Sequence, residues 1–524
     1  MEPSSFIITL PPPTPNGGLH VGHLSGPFLA GDVFSRATKI QGKHCFVSCY
    51  SDIHQSYVRV TAERQDCDPE ELYQYWSKDI NETLKLYHVS VDDYFVPEAE
   101  SDAFIKDIFL KLYSNKTLSK KAFPFFYSEE NDYWYDEAGI SGNCPKCLAS
   151  CKCGICEACG GLNTAVTILN PKVTNSPSTT IKLAYLDVLV LELEKFRAQL
   201  IEFYAKNPKF RQRYKWLVED ALEQELPDFP VTVPGSWGIS FDHEDFPGQV
   251  INAWPELMAQ LLYSYQRALN KDKELGSYPV PVNFFGFDNS YFYAFVHAAL
   301  LTQIDEGRWL PWATVINEFY NLDHAKFSTS NNHVIWAKDL AERCSVDAAR
   351  FYAAFNSPGF EKANFNESDM QGVLNRTINS VWSSIAQQWN IVTSQMDIGA
   401  NLNLPSFPLC QSIRSQIMKS YSLERFHLRQ AAEDLLHLLY YIEKVLISRS
   451  ADSLQTASNL MVCFAQSAYP LMPNSSLRLF CALTARPEIS LEPVNTVKLI
   501  QLPLSLFSEE NFVVENINEG VPAS

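Results

Sequence analysis

The chain has 524 residues, 46% hydrophobic and 19% charged, with a formal net charge of -18. That length holds two or three domains, and the composition is that of an ordinary globular protein rather than a disordered or fibrous one. The negative balance excludes a surface that binds nucleic acid non-specifically throughout, while leaving room for a local basic face.

Phe6 to Leu10 reads as a buried strand. Pro11-Pro12-Pro13-Thr14-Pro15-Asn16-Gly17-Gly18 suits neither a helix nor a central strand and reads as a turn. A helix is expected from about Leu19 to Lys43, then a strand from His44 to Tyr50 that ends at Ser51-Asp52-Ile53-His54. This strand–helix–strand order predicts a parallel α/β sheet with sites at the carboxyl ends of its strands. A cysteine cluster spans Cys144 to Cys159, and a long helical region is expected from about Ile181 to Glu225. A second α/β segment has a strand at Val282 to Phe287 and a helix after Asp288. From about Ala363 the chain reads as mostly helical, interrupted near Asn390–Pro408 and Pro470–Ser475. The stretch from Leu502 is apolar, then acidic, and receives no assignment. No apolar run is long enough to span a bilayer; even Tyr185 to Leu193 is broken by Asp187 and Glu192. Met1-Glu2-Pro3 lacks the basic region of a secretory signal. Cys45, Cys49, Cys67, Cys344, Cys410, Cys463 and Cys481 are scattered like buried thiols of a reducing compartment, so a cytoplasmic location is expected.

The turn and the residues after it carry the first chemistry. Gly17 and Gly18 let the backbone approach a ligand, and the helix start that follows offers free N–H groups to phosphate. His20 and His23, three apart, share a helical face and can donate to phosphate oxygens as charge shifts towards a leaving pyrophosphate. Gly22 removes a side chain where adenine or ribose packs. Two surface histidines on an ordinary helix are the bland alternative. Asp52, just past a strand end, suits either a substrate ammonium or a helix N-cap.

Cys144-Pro145-Lys146-Cys147 and Cys156-Glu157-Ala158-Cys159 form two CxxC knuckles. Four thiolates in this arrangement suit tetrahedral Zn2+, and a closed four-sulfur shell makes the metal structural. Gly154 and Gly160 fit tight knuckle turns, while Cys151 and Cys153 are surplus and read as bystanders.

Pro13 to His23 resembles the HIGH region of class I aminoacyl-tRNA synthetases. Far downstream, Lys326-Phe327-Ser328-Thr329-Ser330 resembles their Lys-Met-Ser-Lys-Ser loop. The order of motifs is similar to that of methionyl-tRNA synthetases over essentially the full chain, weakening after about Trp382. The resemblance implies an α/β fold: a Rossmann-type catalytic domain split by a zinc-knuckle insertion and followed by an α-helical bundle. The corresponding division is 1–115 and 231–325 for the catalytic halves, 116–230 for the insertion, 326–370 for the loop and stem-contact region, and 371–524 for an anticodon-binding-like region. It implies ATP, Mg2+ and structural Zn2+ as cofactors, and an amino acid, ATP and tRNA as partners. It implies catalytic roles for His20, His23, Lys326, Ser328 and Ser330. Asn16, Gly17, Gly22, Gly286 and Asp288 would bind ATP, and Pro12, Asp52, Trp254 and Tyr293 the amino acid. Cys144, Cys147, Cys156 and Cys159 would hold the metal.

The departures from this pattern are concentrated at the chemistry. Thr14 stands where the family has a lid Tyr, Tyr293 where it has a His, and Glu256-Leu257-Met258 follow the pocket Trp. The activated amino acid is therefore left open. Glu256 either faces solvent, the ordinary place for a Glu, or faces the pocket and favours a polar or cationic side chain. Thr329 replaces the second lysine of the loop and brings no charge; losing one such donor costs on the order of a hundredfold in rate. His324 and His333 flank the loop as candidate substitutes. The family's Arg ahead of Trp237-Gly238-Ile239 is missing from Val231-Thr232-Val233-Pro234-Gly235, and no Lys or Arg occurs between Lys215 and Arg267.

Lys206, Lys209, Phe210, Arg211, Arg213, Tyr214, Lys215 and Trp216 form a basic, aromatic stretch that suits phosphates and a stacked base, or simply a solvated helix face. At the anticodon-reading positions stand Ser383 and Gln387, and no Lys or Arg lies between Arg376 and Arg414. Anticodon recognition therefore looks lost. Trp382 and Trp389 suit the helix core better than base stacking. Three readings follow: a methionyl-type synthetase that charges tRNA, an amino-acid-activating amide ligase acting on a small molecule or peptide, and a non-catalytic binding or regulatory protein.

Overall fold

The computed structural model describes residues 3–207, 209–276, 278–327, 333–394, 396–405 and 407–508. The chain divides into two compact units: Met1–Leu19, Cys45–Thr83 and Val91–Glu318 form the first, and His20–His44, Leu84–Ser90 and Phe319–Ser524 the second.

The first unit is built on a five-stranded sheet of β1 (Ser5–Thr9), β2 (His44–Tyr50), β3 (Asp93–Phe95), β4 (Val280–Gly286) and β5 (Ala313–Asn317), in the order β5-β4-β1-β2-β3. β1 pairs in parallel with β4, with Phe6 opposite Val280, and β4–β5 and β2–β3 are also parallel. Ile7 and Ile8 have no exposed surface, as expected of a central strand covered on both faces. Thr9 Oγ1 donates to Asn283 Oδ1 at 2.7 Å, fixing the β1–β4 register from within. One large core runs from the sheet through the helix at Ala253–Lys271 to Phe292, Phe295 and Phe285, all fully enclosed.

The long helix expected over Ile181–Glu225 is not there. Lys182–Glu192 is a strand, paired antiparallel with Ser119–Ser128 from Tyr127↔Lys182 to Ser119↔Val190. Leu189 and Leu191 enter the main core while Val188 and Val190 enter a second cluster, so alternate residues bury opposite faces. A strand covered on both sides loses the polar alternation that marks strands in a sequence, and its apolar run then resembles a buried helix. Helices follow at Leu193–Phe196, a 3-10 turn, and at Arg197–Lys206 and Gln212–Leu222.

In the second unit, the helix expected after the turn begins at Val21–His23 and widens into a π-helical turn at Leu24–Phe28. It continues as α1 (Leu29–Ile40). Pro27, inside the wide turn, has no N–H to give to the α-helical ladder, which accounts for the widening. A buried ion network anchors α1. Asp32 Oδ2 accepts from Arg36 at 2.9 Å and from Arg350 at 2.6 Å, with Asp32 0% and Arg350 2% exposed. Arg350 also donates to the carbonyls of Tyr87, Pro470 and Leu471.

Beyond Ala363 the unit is mainly helical, with helices at Ser380–Thr393, Pro408–Lys419, Leu428–Leu446, Ala451–Ala468 and Pro473–Thr484. Trp382 and Trp389 are fully buried and donate to the carbonyls of Pro503 and Ile500. They are core residues, and their indoles hold down the stretch around Leu502 that the sequence left unassigned. Among the described residues, no helix is long and apolar enough to cross a membrane.

Candidate active site

In the second unit the two separated motifs meet. The His20 ring lies between His23, 3.7 Å away, and Phe327, 4.5 Å away and nearly parallel. Val21 N–H donates to the Ile335 carbonyl at 3.0 Å, and His20 bridges to Trp336. The segment holding Lys326-Phe327 and the segment resuming at His333 are therefore both pinned to the HVGH turn. Gly22 is required here, because a Cβ at that position would sit 2.9 Å from the His20 ring and 3.2 Å from Phe327. Desolvation, then the neighbouring His23 and Lys326, hold the His20 imidazole well below its usual pKa. The ring is a neutral donor at neutral pH. Lys326 ends a short exposed strand opposite Asn321. Ser328, Thr329 and Ser330 lie outside the described residues. His333 Nε2 is bonded to the Leu322 carbonyl at 2.8 Å.

In the first unit the proline-rich turn and the end of β2 are joined by Asp52 N–H donating to the Pro13 carbonyl at 3.0 Å. Pro12, Asn16 and Gly17 are partly exposed along this turn, and Asn16 N–H donates to the Thr14 carbonyl. Asp52 is 6% exposed. Desolvation, followed by the charge of Glu256, pushes its carboxyl well above the usual range. A cation arriving beside it would relieve that strain and restore the carboxylate.

Glu256 does not face solvent. It is 3% exposed, and its Oε1 lies 2.8 Å from His54 Nδ1. Desolvation pulls the His54 pKa down, but the Glu256 charge and hydrogen bond outweigh it, and the net shift is upward. Glu256 is thus committed to His54 rather than presented to water. Trp254 is buried, stacked on Phe292 at 3.6 Å, and donates from Nε1 to Glu137 Oε2 at 2.7 Å. Tyr293 stacks on Phe285 at 3.9 Å and lies 4.5 Å from His297. Gly286 allows Asp288 to fold back, since a Cβ there would lie 2.5 Å from Asp288 Oδ1. Burial raises Asp288 to about 6.

Sequence reasoning missed Glu137, His54 and His297. His54 was visible two residues after Asp52, but its acidic partner is distant in sequence. His297, 1% exposed, contacts the Trp254 carbonyl at 2.8 Å through Nε2, and burial lowers it to about 4. A histidine held neutral in this way contributes stability that is complete above the unfolded pKa of 6.5 and is lost as pH falls towards 4. We expect the wild type to lose about 3 kcal/mol across that window relative to His297→Gln, measured by denaturation at a series of pH values. Parallel pH profiles would refute the assignment.

The four cysteines Cys144, Cys147, Cys156 and Cys159 place their sulfurs within 4.8 Å of one another, a donor set that fits Zn2+. Each knuckle closes with an N–H four residues on: Leu148 to the Cys144 carbonyl and Gly160 to the Cys156 carbonyl. Both closing residues have positive φ, 61° at Leu148 and 73° at Gly160. Gly154 was expected in a knuckle turn. It serves another purpose, because a Cβ there would lie 2.3 Å from the Glu137 side chain. Cys151 and Cys153 stand outside the four-sulfur set; Cys151 accepts from Asn163 Nδ2 at 3.3 Å.

The basic stretch is largely used within the fold. Phe210 and Tyr214 are buried, and Arg211 donates to the Ile316 carbonyl. Arg213 pairs with Glu318, Lys209 lies over Trp312 and Lys206 pairs with Glu202. Trp216, 55% exposed, is the aromatic left at the surface.

A family model described as tRNA synthetases class I (M) matches residues 6–389. The chain belongs to this family. It is 26% identical to the methionine–tRNA ligase of Rubrobacter xylanophilus over 410 residues, covering 72% of this chain and 70% of that one. It is 26% identical to that of Pyrococcus abyssi over 399 residues, covering 71% and 54%. With that of Porphyromonas gingivalis it shares 24% identity over 515 residues, covering 91% and 74%. The chain therefore spans between about half and three quarters of the length of these relatives. The Mycobacterium tuberculosis methionyl-tRNA synthetase bound by methionyl-adenylate superposes with a TM-score of 0.75 at 15% identity, over 96% of this chain and 100% of that one. The fold is that of a methionyl-type class I synthetase, with its parallel sheet, cysteine knuckles and helical carboxyl-terminal region.

Proposed function

We propose that the chain activates an amino acid with ATP as an aminoacyl-adenylate and passes the acyl group to tRNA. The observation that carries this reading is the stack of His23, His20 and Phe327, which ties the HVGH turn to the Lys326 segment. In the proposed reaction the amino-acid carboxylate attacks the α-phosphate of ATP and pyrophosphate leaves. His20 and His23 donate hydrogen bonds to the phosphates, and Lys326 carries positive charge towards the leaving group, assisted by Ser328 and Ser330. Mg2+ would supply further charge on the phosphates. Asn16, Gly17, Gly22, Gly286 and Asp288 are assigned to ATP. Pro12, Asp52, Trp254 and Tyr293 are assigned to the amino acid, with Asp52 taking its ammonium.

The test is amino-acid-dependent ATP–pyrophosphate exchange across the common amino acids, on the wild type and on Thr329→Lys. We expect exchange with one amino acid, raised by about a hundredfold in the variant, because the lysine restores a charged donor at the pyrophosphate. No exchange in either protein would refute adenylation. Equal rates would mean that another group already supplies the charge.

A second reading is transfer to an amine of a small molecule or peptide. It is supported by the helix Ser380–Thr393, which carries no Lys or Arg, and by the use of Arg211 and Arg213 within the fold. Loss of tRNA binding at physiological salt, with adenylation intact, would favour this second reading.

A further inference from the structure

The first unit contains a cleft of about 1010 Å3, counted to its open mouth, whose walls include Phe123, Phe125, Trp237, Trp254 and Phe292. Its lining carries three carboxylates, Asp136, Glu137 and Asp228, and the basic side chain His54, which is already paired with Glu256 at 2.8 Å. Two of the three carboxylates already have a cation. Asp136 pairs with Arg59 at 2.8 Å, and Asp228 with Lys121. Glu137 differs. Its partners are neutral donors, Trp254 Nε1 and the Ile155 backbone, and desolvation raises its carboxyl to about 7. Among the described residues, two further lining side chains carry buried polar atoms with no partner: Asn163 Oδ1, on a residue 3% exposed, and Trp237 Nε1.

Aromatic faces attract a cation through their quadrupoles, and a carboxylate in a low-dielectric recess gains most from a cation that enters with its own apolar body. An anionic ligand meets three carboxylates here and a histidine already held by Glu256, so neither a phosphate nor a nucleic-acid backbone fits this lining. We propose that this cleft binds an organic ammonium on an apolar or aromatic body, with Glu137 as its counter-ion and the aromatic walls around its carbon skeleton.

Glu137 also acts electrostatically on Asp52, so the cleft adjoins the group assigned to the substrate ammonium. Its link to catalysis rests on the proposed adenylation, and the ammonium has two possible sources. It is the side-chain terminus of the activated amino acid, or it is a separate amine that accepts the acyl group. In the second case the ammonium gives one proton to the Glu137 carboxylate. The nitrogen lone pair then forms a C–N bond at the adenylate carbonyl carbon. The C–O bond to phosphate breaks, AMP leaves with that electron pair, and the second nitrogen proton passes to water.

The binding test compares phenethylamine, phenethyl alcohol and 3-phenylpropionate by calorimetry on the unaltered protein. We expect the amine to bind about tenfold tighter than the alcohol, the carboxylate not to bind, and Glu137→Gln to remove the preference for the amine. The Gln side chain still accepts from Trp254, and the comparison on the unaltered protein stands without any variant. Equal binding of amine and alcohol, absence of amine binding, or a preference retained by Glu137→Gln would overturn the proposal. Pyrophosphate exchange stimulated by amino acids with cationic side chains identifies the first source. AMP release stimulated by the amine, in the presence of an exchange-active amino acid, identifies the second. Amine binding with no exchange at all would leave the cleft assigned and sink the adenylation reading alone.

Discussion

Replacing Cys144 by serine is expected to abolish stoichiometric zinc and to expose the Cys144–Cys159 segment to proteolysis. Cys144 has no exposed surface, and its sulfur lies 3.7 Å from that of Cys159, while Cys147 and Cys156 are 3.5 Å apart. Four sulfurs held this close form a donor set that suits a tetrahedral cation, which would keep them deprotonated without mutual repulsion. Structural zinc in isolated knuckles supplies on the order of 10 kcal/mol or more of folding free energy. The loss therefore unravels the knuckles rather than loosening them. Metal analysis and limited proteolysis read the two effects separately. Cys151→Ser and Cys153→Ser serve as controls and should keep one zinc per chain. A Cys144→Ser protein that retains its full zinc would place the metal elsewhere.

The second large effect is expected at Arg350. Replacing it with methionine leaves Asp32, which has no exposed surface, with Arg36 as its single cation. It also frees the carbonyls of Tyr87, Pro470 and Leu471 inside the unit. Removing one member of a buried ion network typically costs about 3–5 kcal/mol, mostly as the penalty on the charge left behind. The double variant Asp32→Asn with Arg350→Met should recover part of that loss, because no full negative charge remains to be desolvated. Denaturant melts of the single and double variants check this. A single-variant loss below about 1 kcal/mol would mean that water already reaches the network.

How much of this was legible in the sequence depended on how local the cause was. β1, the proline-rich turn and β2 were readable because each is set by a few adjacent side chains. The cysteine knuckles were readable because four ligands at fixed spacing have few other uses. The strand Lys182–Glu192 was misread because burial of both its faces erased the pattern that distinguishes a strand. The contacts that shape the amino-acid end of the site were hidden for another reason. Glu256 meets His54 across 202 positions and Trp254 meets Glu137 across 117, so neither partner marks the other in the sequence. Glu256 looked like a surface residue because nothing nearby announced the histidine. The roles of Ser328, Thr329 and Ser330 fall outside the described residues and rest on resemblance alone.

The order of the central sheet also bears on how the protein is made. β1 leaves the ribosome long before the strand on one of its sides, β4, whose Asn283 lies 274 positions after Thr9. At cellular rates of synthesis that separation is on the order of tens of seconds. Through that interval Ile7 and Ile8 sit on an open strand edge that offers backbone hydrogen bonds to any other extended chain. The nascent polypeptide is therefore a natural client for holding chaperones. Any message truncated before Gly286 would yield a fragment whose central strand never acquires its second neighbour.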